Sequence, residues 1–418
     1  MRHWSWRGMP SARAGAQQRT GSRRRRRDTA PSGIGVFALD GGVITPTAIL
    51  AGIGLVMVYS ATAPLAMGAA LPPHFVRHLF ALGAALLCVI VVVRVPLVVW
   101  RRCAFPLWGM CIVLLLLTLL VGVEAGGARR WLAVPGLPMR LQACEIAKWV
   151  SIVAVAAALA NLGERHKRAG RELVAAIGLA LPPALLLLGQ PDLGSAVLLL
   201  AIVGLMVFAA GAPLLRLGAG LLFAAAGAAV YVALHPYALA RFRGYLAPWE
   251  TASAEGFQLV QSFVAFGRGG IGGVGLGDGR QKLFYLPEAH TDFILSVIAE
   301  ELGLIGVLVV LGAFAALVIA GTRLAGRARD PFPLLLGVGM TGLIALSAML
   351  NAAVVTGLLP TTGLTLPFLS FGGNSLLVCS LAVAVLLRIG LEAPVAAQGR
   401  GTARGTGRWS TPTQRRQR

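Results

Sequence analysis

The sequence predicts an all-α polytopic membrane protein of about ten transmembrane helices, with both termini in the cytoplasm and a large outer loop between helices 7 and 8. Three observations carry this reading. Hydrophobic residues make up 57% of the chain and charged residues 13%, with a mean hydropathy of +0.77. The apolar residues fall in stretches of roughly 18 to 25, each long enough to cross a bilayer. The arginine-rich connections lie on one side of the resulting topology, and short loops rich in Lys and Arg stay cytoplasmic.

Taken in order, the spans are predicted near 44–63, 75–94, 98–121, 143–162, 173–189, 193–211, 214–234, 292–321, 332–358 and 370–391. The first follows a tail (1–43) with five consecutive arginines, Arg23 to Arg27. No apolar segment with a small-residue cleavage site follows those arginines closely, so the first span reads as an uncleaved anchor. Arg101 and Arg102 mark the cytoplasmic start of the third span, and the outer segment Glu124–Gln142 follows it. After the fourth span the loop Glu164–Glu172 holds Arg165, Lys167, Arg168 and Arg171, which returns the chain to the cytoplasm. The short turn Gly189–Asp192 and the long segment His235–Thr291 are outside, whereas Gly321–Asp330, with Arg323, Arg327 and Arg329, is inside. Gly357–Gly373 is the last outer segment, and a basic tail (392–418) closes the chain. The membrane domain is therefore 44–391, with no soluble domain of ordinary size left over.

The net charge of +21 sits largely in the two tails and the cytoplasmic loops. Attraction to anionic inner-leaflet lipid, about 1 kcal/mol per basic residue, accounts for it. The arginine run lacks the interleaved aromatics and folded context of a nucleic-acid module, so no nucleic acid is expected as a partner. The tails, rich in Arg, Gly, Ser and Gln, read as disordered. The five cysteines show no metal-ligand spacing and no disulfide framework, and they read as small packing residues.

The outer segments carry the motifs. Between Gly275 and Gly306 a glycine-broken loop with Lys282, Glu288, His290 and Asp292 runs into an apolar helix. Ionisable groups at the edge of a span point to a functional site by default. The glycines from Gly267 to Gly279 do not form a nucleotide loop, because the Walker Lys-Ser pair and the βαβ context are missing. They suit close backbone approach and loop mobility beside a substrate. The stretch from Thr361 to Gly373 mixes prolines and glycines with apolar residues, as in a re-entrant or broken segment, the alternative being a plain loop.

Four segments, GGARRWLAVPG…LQACEIAK, GQPDLGSA, Tyr237 to Gly306 with YLPEAHTDF and EELG, and NAAVVTGLLPTTGLTLPFLSFGGNSLL, together resemble the SEDS family of FtsW, RodA and SpoVE. The wording of QKLFYLPEAHTDF and TTGLTLP is closer to its division-type members than to RodA. The chain departs from the family pattern at LQACE, where a QPSE-type motif is usual, and at Asn374, where serine is common. The resemblance implies a peptidoglycan glycosyltransferase of the cytoplasmic (inner) membrane, at the division septum, that polymerises lipid II and releases undecaprenyl pyrophosphate. It implies a class B penicillin-binding protein transpeptidase and other divisome proteins as partners. The acidic residue essential in the family lies in the TDF motif and maps to Asp292.

Transfer from a lipid diphosphate already has a good leaving group, so the chemistry asks for a base toward the acceptor hydroxyl and cations toward the phosphates. Asp292 is the candidate base, and helix N-cap is a compatible second role for it. Glu288 and His290 are placed to orient substrate or tune Asp292, with a loop hydrogen bond as the alternative for His290. Arg129 and Arg130 suit a diphosphate, and Lys282 is either a phosphate ligand or an exposed loop lysine. Arg241 and Arg243 precede a polar, partly amphipathic stretch containing Gln258, which suits either a glycan groove or a structural interfacial helix. Ser370 and Asn374 are candidates for the far wall of the site. Glu145 and Lys148, at i and i+3, form a supporting ion pair, and Asp192 reads first as a helix cap. No cofactor is required by these motifs, and a divalent cation on the diphosphate is compatible with them. The competing reading is a lipid II flippase, or within the family a RodA-like elongation polymerase. Because the ionisable residues crowd the outer ends of the spans, the enzyme is favoured over the flippase.

Overall fold

The computed structural model describes residues 39–66, 70–125, 128–133, 140–163 and 169–393. The run Arg23–Arg27, residues 164–168 of the fourth connection and the tail after 393 lie outside the described residues. The helices are α1 (Gly41–Thr62), α2 (Pro73–Arg94), α3 (Leu97–Val121), α4 (Ala143–Gly163), α5 (Ala169–Gly189), α6 (Leu193–Ala209), α7 (Leu214–Leu234), α8 (Pro236–Leu246), α9 (Phe257–Gly269), α10 (Ile294–Arg327), α11 (Pro331–Val355) and α12 (Gly373–Glu392). Eight of them are long and apolar enough to cross a membrane, and the apolar stretches Leu173–Gly189 and Leu193–Ala209 are shorter. The short α6 buries one face, with Leu198, Leu199, Ile202 and Met206 fully buried, and leaves Val197, Leu205 and Phe208 exposed on the other.

Helices α1 and α10 run antiparallel, whereas α2 and α12 run parallel. Gly42 lies against Ala320 at one end of the α1–α10 pair, and the Ser60 hydroxyl donates to Glu301 at the other. At the cytoplasmic side of α2 and α12, the Leu97 amide donates to Glu392 Oε1 (3.0 Å) and Arg388 Nη1 donates to Val93 O (3.2 Å). The centre of the bundle is α4, nearly all of which is buried, while α7 sits at its periphery with no residue fully buried. Small residues allow the close crossings that membrane helices rely on. A Cβ on Gly339 of α11 would come within 2.4 Å of Ile152 of α4, and one on Gly321 of α10 within 2.4 Å of Thr341.

Three local features differ from the sequence reading or refine it. The outer segment after α3 holds a small antiparallel sheet, β1 (Val123–Ala125), β2 (Ala128–Leu132) and β3 (Leu141–Gln142), which an all-α reading did not contain. Glu124 pairs with Arg129 and Trp131 with Gln142 across it. The eighth span does not begin at Asp292: α10 starts at Ile294 and breaks at Gly303, whose φ of 67° and ψ of −165° interrupt the helix. At ~1.5 Å per residue its 34 residues would reach about 51 Å, against a hydrocarbon core of about 30 Å. The break separates an outer segment ending at Leu302 from a membrane-crossing one. The backbone groups around the break are paired by the preceding loop: Val274 N donates to Glu300 O (3.0 Å) and Leu304 N to Gly270 O (2.9 Å).

The segment between α11 and α12 is irregular, and its second half is buried, with Leu364, Leu366, Phe368 and Leu369 at 7% exposure or less. It enters the bundle rather than lying over it. A Cβ on Gly54, eight residues (~12 Å) below the outer end of α1, would come within 2.3 Å of the Phe368 carbonyl. Irregular backbone at that depth is tolerated because protein surrounds it.

Candidate active site

Asp292 ends the loop that precedes α10, and the re-entrant segment fixes its backbone. Asn351 Nδ2 donates to the carbonyls of Asp292 and Leu364, both at 2.7 Å. Ser370 Oγ donates to Thr291 O (2.6 Å) and accepts from Leu366 N (2.8 Å), while Phe371 N donates to His290 O (2.8 Å). Three successive residues are thus pinned by groups from α11 and the segment after it. The helix begins two residues later, at Ile294, with Phe293 at the cap position and no side-chain cap. The N-cap role for Asp292 therefore falls away. The neighbouring Thr291 donates its hydroxyl to Glu288 Oε2 (2.8 Å).

The freed carboxylate points toward Gly363. A Cβ there would sit 3.5 Å from Asp292 Oδ2 and 3.9 Å from Arg241 Nη1, so the carboxylate and the guanidinium converge on a residue whose φ of +76° favours glycine. Arg241, on α8, donates to Thr361 O (3.2 Å) and lies 4.7 Å from the centre of the Tyr237 ring. Arg130, on β2, donates through Nε to Gln190 O (3.1 Å) and through Nη2 to Pro191 O at the turn between α5 and α6. Burial, and then the nearby Glu288 carboxylate, push the Asp292 carboxyl from its ordinary 3.8 up to about 7, against the opposing pull of Arg241 and Arg130. Asp192 also opposes its ionisation from the N-cap of α6, where it accepts from Ser195 N (3.1 Å), so the cap reading of Asp192 matches the geometry.

Several expected site residues lie elsewhere. Lys282 is not the exposed loop lysine expected, and its ammonium is engaged in an ion pair within the protein. It is buried, with its ammonium on Glu301 Oε1 (2.7 Å) and Ser60 Oγ (2.8 Å). Arg129 points to the other face of its strand, exposed and 3.7 Å from Glu124. Of the two α8 arginines, Arg243 is exposed and Arg241 is the one that reaches the site. Ser370 and Asn374 tie backbones rather than forming a wall, with Asn374 Nδ2 donating to Arg140 O (2.8 Å). Gln258 is partly buried on α9, whose Ser262 meets Ser296 (2.7 Å) and Val355 O (2.6 Å) and binds that helix to α10 and α11. Glu145 and Lys148 form the expected buried pair at 2.7 Å. Glu288 is exposed beside the site, and the ring of His290 turns away from Asp292 toward α2.

The glycine run serves a different place from the one expected. A Cβ on Gly269 would fall 1.8 Å from Ala299 O, and one on Gly273 2.1 Å from Glu301 O, so the loop lies flat against α10 below the site. There Glu300 accepts from Arg268, Arg280 N and Gln281 N, and Glu301 from Ser60, Lys282 and Gly277 N. The residues that sequence reasoning missed are Asn351, Arg241 as the arginine chosen, and His74. The i, i+4 spacing of His74 and His78 was a signal for the last.

Comparison with known proteins agrees with this architecture. The family described as Cell cycle protein, FtsW/RodA/SpoVE, matches residues 43–393. The probable peptidoglycan glycosyltransferase FtsW of Halomonas elongata is 42% identical over 362 residues, 84% of this chain and 90% of that protein. The probable peptidoglycan glycosyltransferase FtsW of Trichlorobacter lovleyi is 43% identical over 353 residues, 81% and 90% of the two chains. Among solved structures, a chain from work on structural coordination of polymerization and crosslinking by a peptidoglycan synthase complex superposes with TM-score 0.71 at 30% identity, covering 86% of this chain and 99% of that one. The crystal structure of the rod shape determining protein RodA of Thermus thermophilus superposes with TM-score 0.64 at 28% identity over 86% and 99%. A multi-pass helical bundle that closes a buried re-entrant segment over one outer carboxylate, with this breadth of similarity, belongs to the FtsW/RodA/SpoVE family of inner-membrane proteins.

Proposed function

We propose that this peptidoglycan glycosyltransferase polymerises lipid II at the outer face of the inner membrane during septum formation, with Asp292 as general base. One observation carries the residue-level reading: a carboxylate poised near neutral pH, converging with the Arg241 guanidinium on Gly363 and with Arg130 in range. A base with a pKa near the working pH combines a useful ionised fraction with enough basicity to take a proton. Asp292 accepts the proton of the acceptor's sugar hydroxyl as that oxygen attacks the donor's anomeric carbon. The bond from that carbon to the diphosphate oxygen breaks, and undecaprenyl diphosphate leaves with the electron pair. Arg130 and Arg241 stabilise the negative charge that builds on the departing diphosphate, a task that suits fork-shaped guanidinium donors.

A class B penicillin-binding protein is the partner in this reading. The support is similarity to a chain of a synthase complex that coordinates polymerization and crosslinking. In the test, purified protein with its transpeptidase polymerises labelled lipid II, and Asp292→Asn loses at least the ~10²-fold typical of a removed general base. The Asn351 hydrogen bond is to the Asp292 backbone, so the variant keeps its loop anchored. Near-normal polymerisation by the folded variant overturns the assignment.

A further inference from the structure

The catalytic loop is fastened on its far side by a cluster of aromatic rings that the glycosyl-transfer chemistry does not use. His74 and His78 stand one turn apart at the outer start of α2, and both meet Phe371, at centroid distances of 5.2 and 6.5 Å. His290 joins them from the loop, 5.4 Å from His74 in an edge-to-face arrangement and 5.7 Å from Phe371. His74 Nδ1 and both ring nitrogens of His78 are buried without a hydrogen-bond partner, and His78 is 1% exposed. An imidazolium carries two N–H donors and a charge, both of which need partners when water is excluded. The packing therefore fits neutral rings. His290 is two residues from Asp292, and its carbonyl is held by the amide of Phe371, the ring at the centre of the cluster.

We propose that His74, His290 and Phe371 form a neutral-imidazole latch that positions the Asp292 loop against α2, and that protonation within the histidine pair opens it and lowers polymerisation. The inference rests on Asp292 acting as the base. The charged and titratable groups facing the pair are Glu288 from the loop and His74, Arg77 and His78 from α2; the re-entrant segment contributes the uncharged Phe371. Burial holds the His290 ring below its ordinary 6.5, the Glu288 carboxylate opposes that shift, and His74 adds to it. For a group held neutral by the fold, the latch contribution is complete above about pH 6.5 and declines as pH falls toward the lowered folded value.

The experiment measures initial rates of labelled lipid II polymerisation by the protein and its transpeptidase in liposomes from about pH 5.5 to 8.5, each variant normalised to its own alkaline plateau. In the wild type two protonations, on Asp292 and on the latch, bring the slope of log rate against pH toward two on the acid side. The double variant His74→Phe with His290→Phe keeps both aromatic rings and removes the second protonation, so its slope approaches one. Equal slopes in the two proteins overturn the latch. Hydrogen exchange in residues 286–293, corrected for the intrinsic pH effect, supplies a readout independent of catalysis and of the variant's folding. Wild-type protection should drop several-fold between about pH 8 and 5.5, and protection that does not change refutes the latch. Failure of the base reading shows separately, as retained activity in Asp292→Asn at alkaline pH.

Discussion

Asp292 is useful because its surroundings disfavour its charge. Burial and the neighbouring Glu288 raise its pKa to about 7, so the folded protein bears a penalty for ionising it that the unfolded chain does not. The penalty grows as pH rises from 3.8 toward 7 and is complete above it. Asp292→Asn, which cannot ionise, is therefore expected to melt higher than the wild type at about pH 8, with the gap closing as pH falls toward 4, while polymerisation is lost. Thermal unfolding in detergent at several pH values checks both sign and window; a variant that melts lower at pH 8 contradicts the strained-carboxylate account. The identity of this residue was legible from the TDF motif, but its partners were not. Arg241 and Arg243 are two apart on α8 and so point in different directions. Which of them faces the site is decided by Thr361 and Gly363, more than a hundred residues away in sequence. Arg241→Gln should lower kcat/KM by ~10- to 100-fold, the range of a lost charge-assisted hydrogen bond, whereas Arg243→Gln should change it less than about threefold. Equal effects in a steady-state polymerisation assay would return Arg243 to the site.

At the scale of elements, the irregular pieces are the ones tied most firmly. The re-entrant segment is held by Asn351, Ser370 and the Phe371 amide, and the glycine loop by Glu300 and Glu301 at the break in α10. Sequence periodicity and loop charge made the apolar helices and the broken character of 361–373 readable. They did not reveal where the glycine loop would dock, because that depends on two carboxylates accepting backbone amides 19 to 24 residues upstream. The same blindness placed Lys282 at the substrate, since its partner Glu301 reads as part of an apolar helix. Removing one member of a buried ion pair leaves the other uncompensated, typically at a cost of about 3 to 5 kcal/mol. Lys282→Met is therefore expected to destabilise the protein by that amount in denaturant unfolding. The double variant Lys282→Met with Glu301→Gln should recover more than half of the loss, because glutamine still accepts from Ser60 and Gly277 without a charge. A Lys282→Met variant as stable as the wild type, with polymerisation lost, would place the lysine back among the substrate contacts.

For the whole molecule, the arrangement of charge in the sequence and the direction of each helix in the structure describe one topology. Arg101, Arg323, Arg327 and Arg329 stand at the ends of α3, α10 and α11 that lie opposite Asp292, and Arg327 reaches Asp40 at the start of α1 (3.4 Å). Asp292, Arg130, Arg241 and the re-entrant segment all gather at the other ends. This segregation was legible because it is set by loop composition alone, whereas the small sheet after α3 and the break at Gly303 depend on contacts between distant segments. The prediction is that a cysteine at Glu255 and one at Arg329, both exposed, are labelled from opposite sides of the inner membrane. Of the native cysteines, Cys111, Cys144 and Cys379 are buried, so replacing the partly exposed Cys88 and Cys103 by alanine clears the background. A membrane-impermeant maleimide applied to intact spheroplasts should modify the cysteine at 255 and spare the one at 329, which reacts only after permeabilisation. Labelling of both in intact spheroplasts would remove the single crossing, through α10, that separates the two positions, and with it the placement of the Asp292 site where lipid-linked substrate meets the outer space.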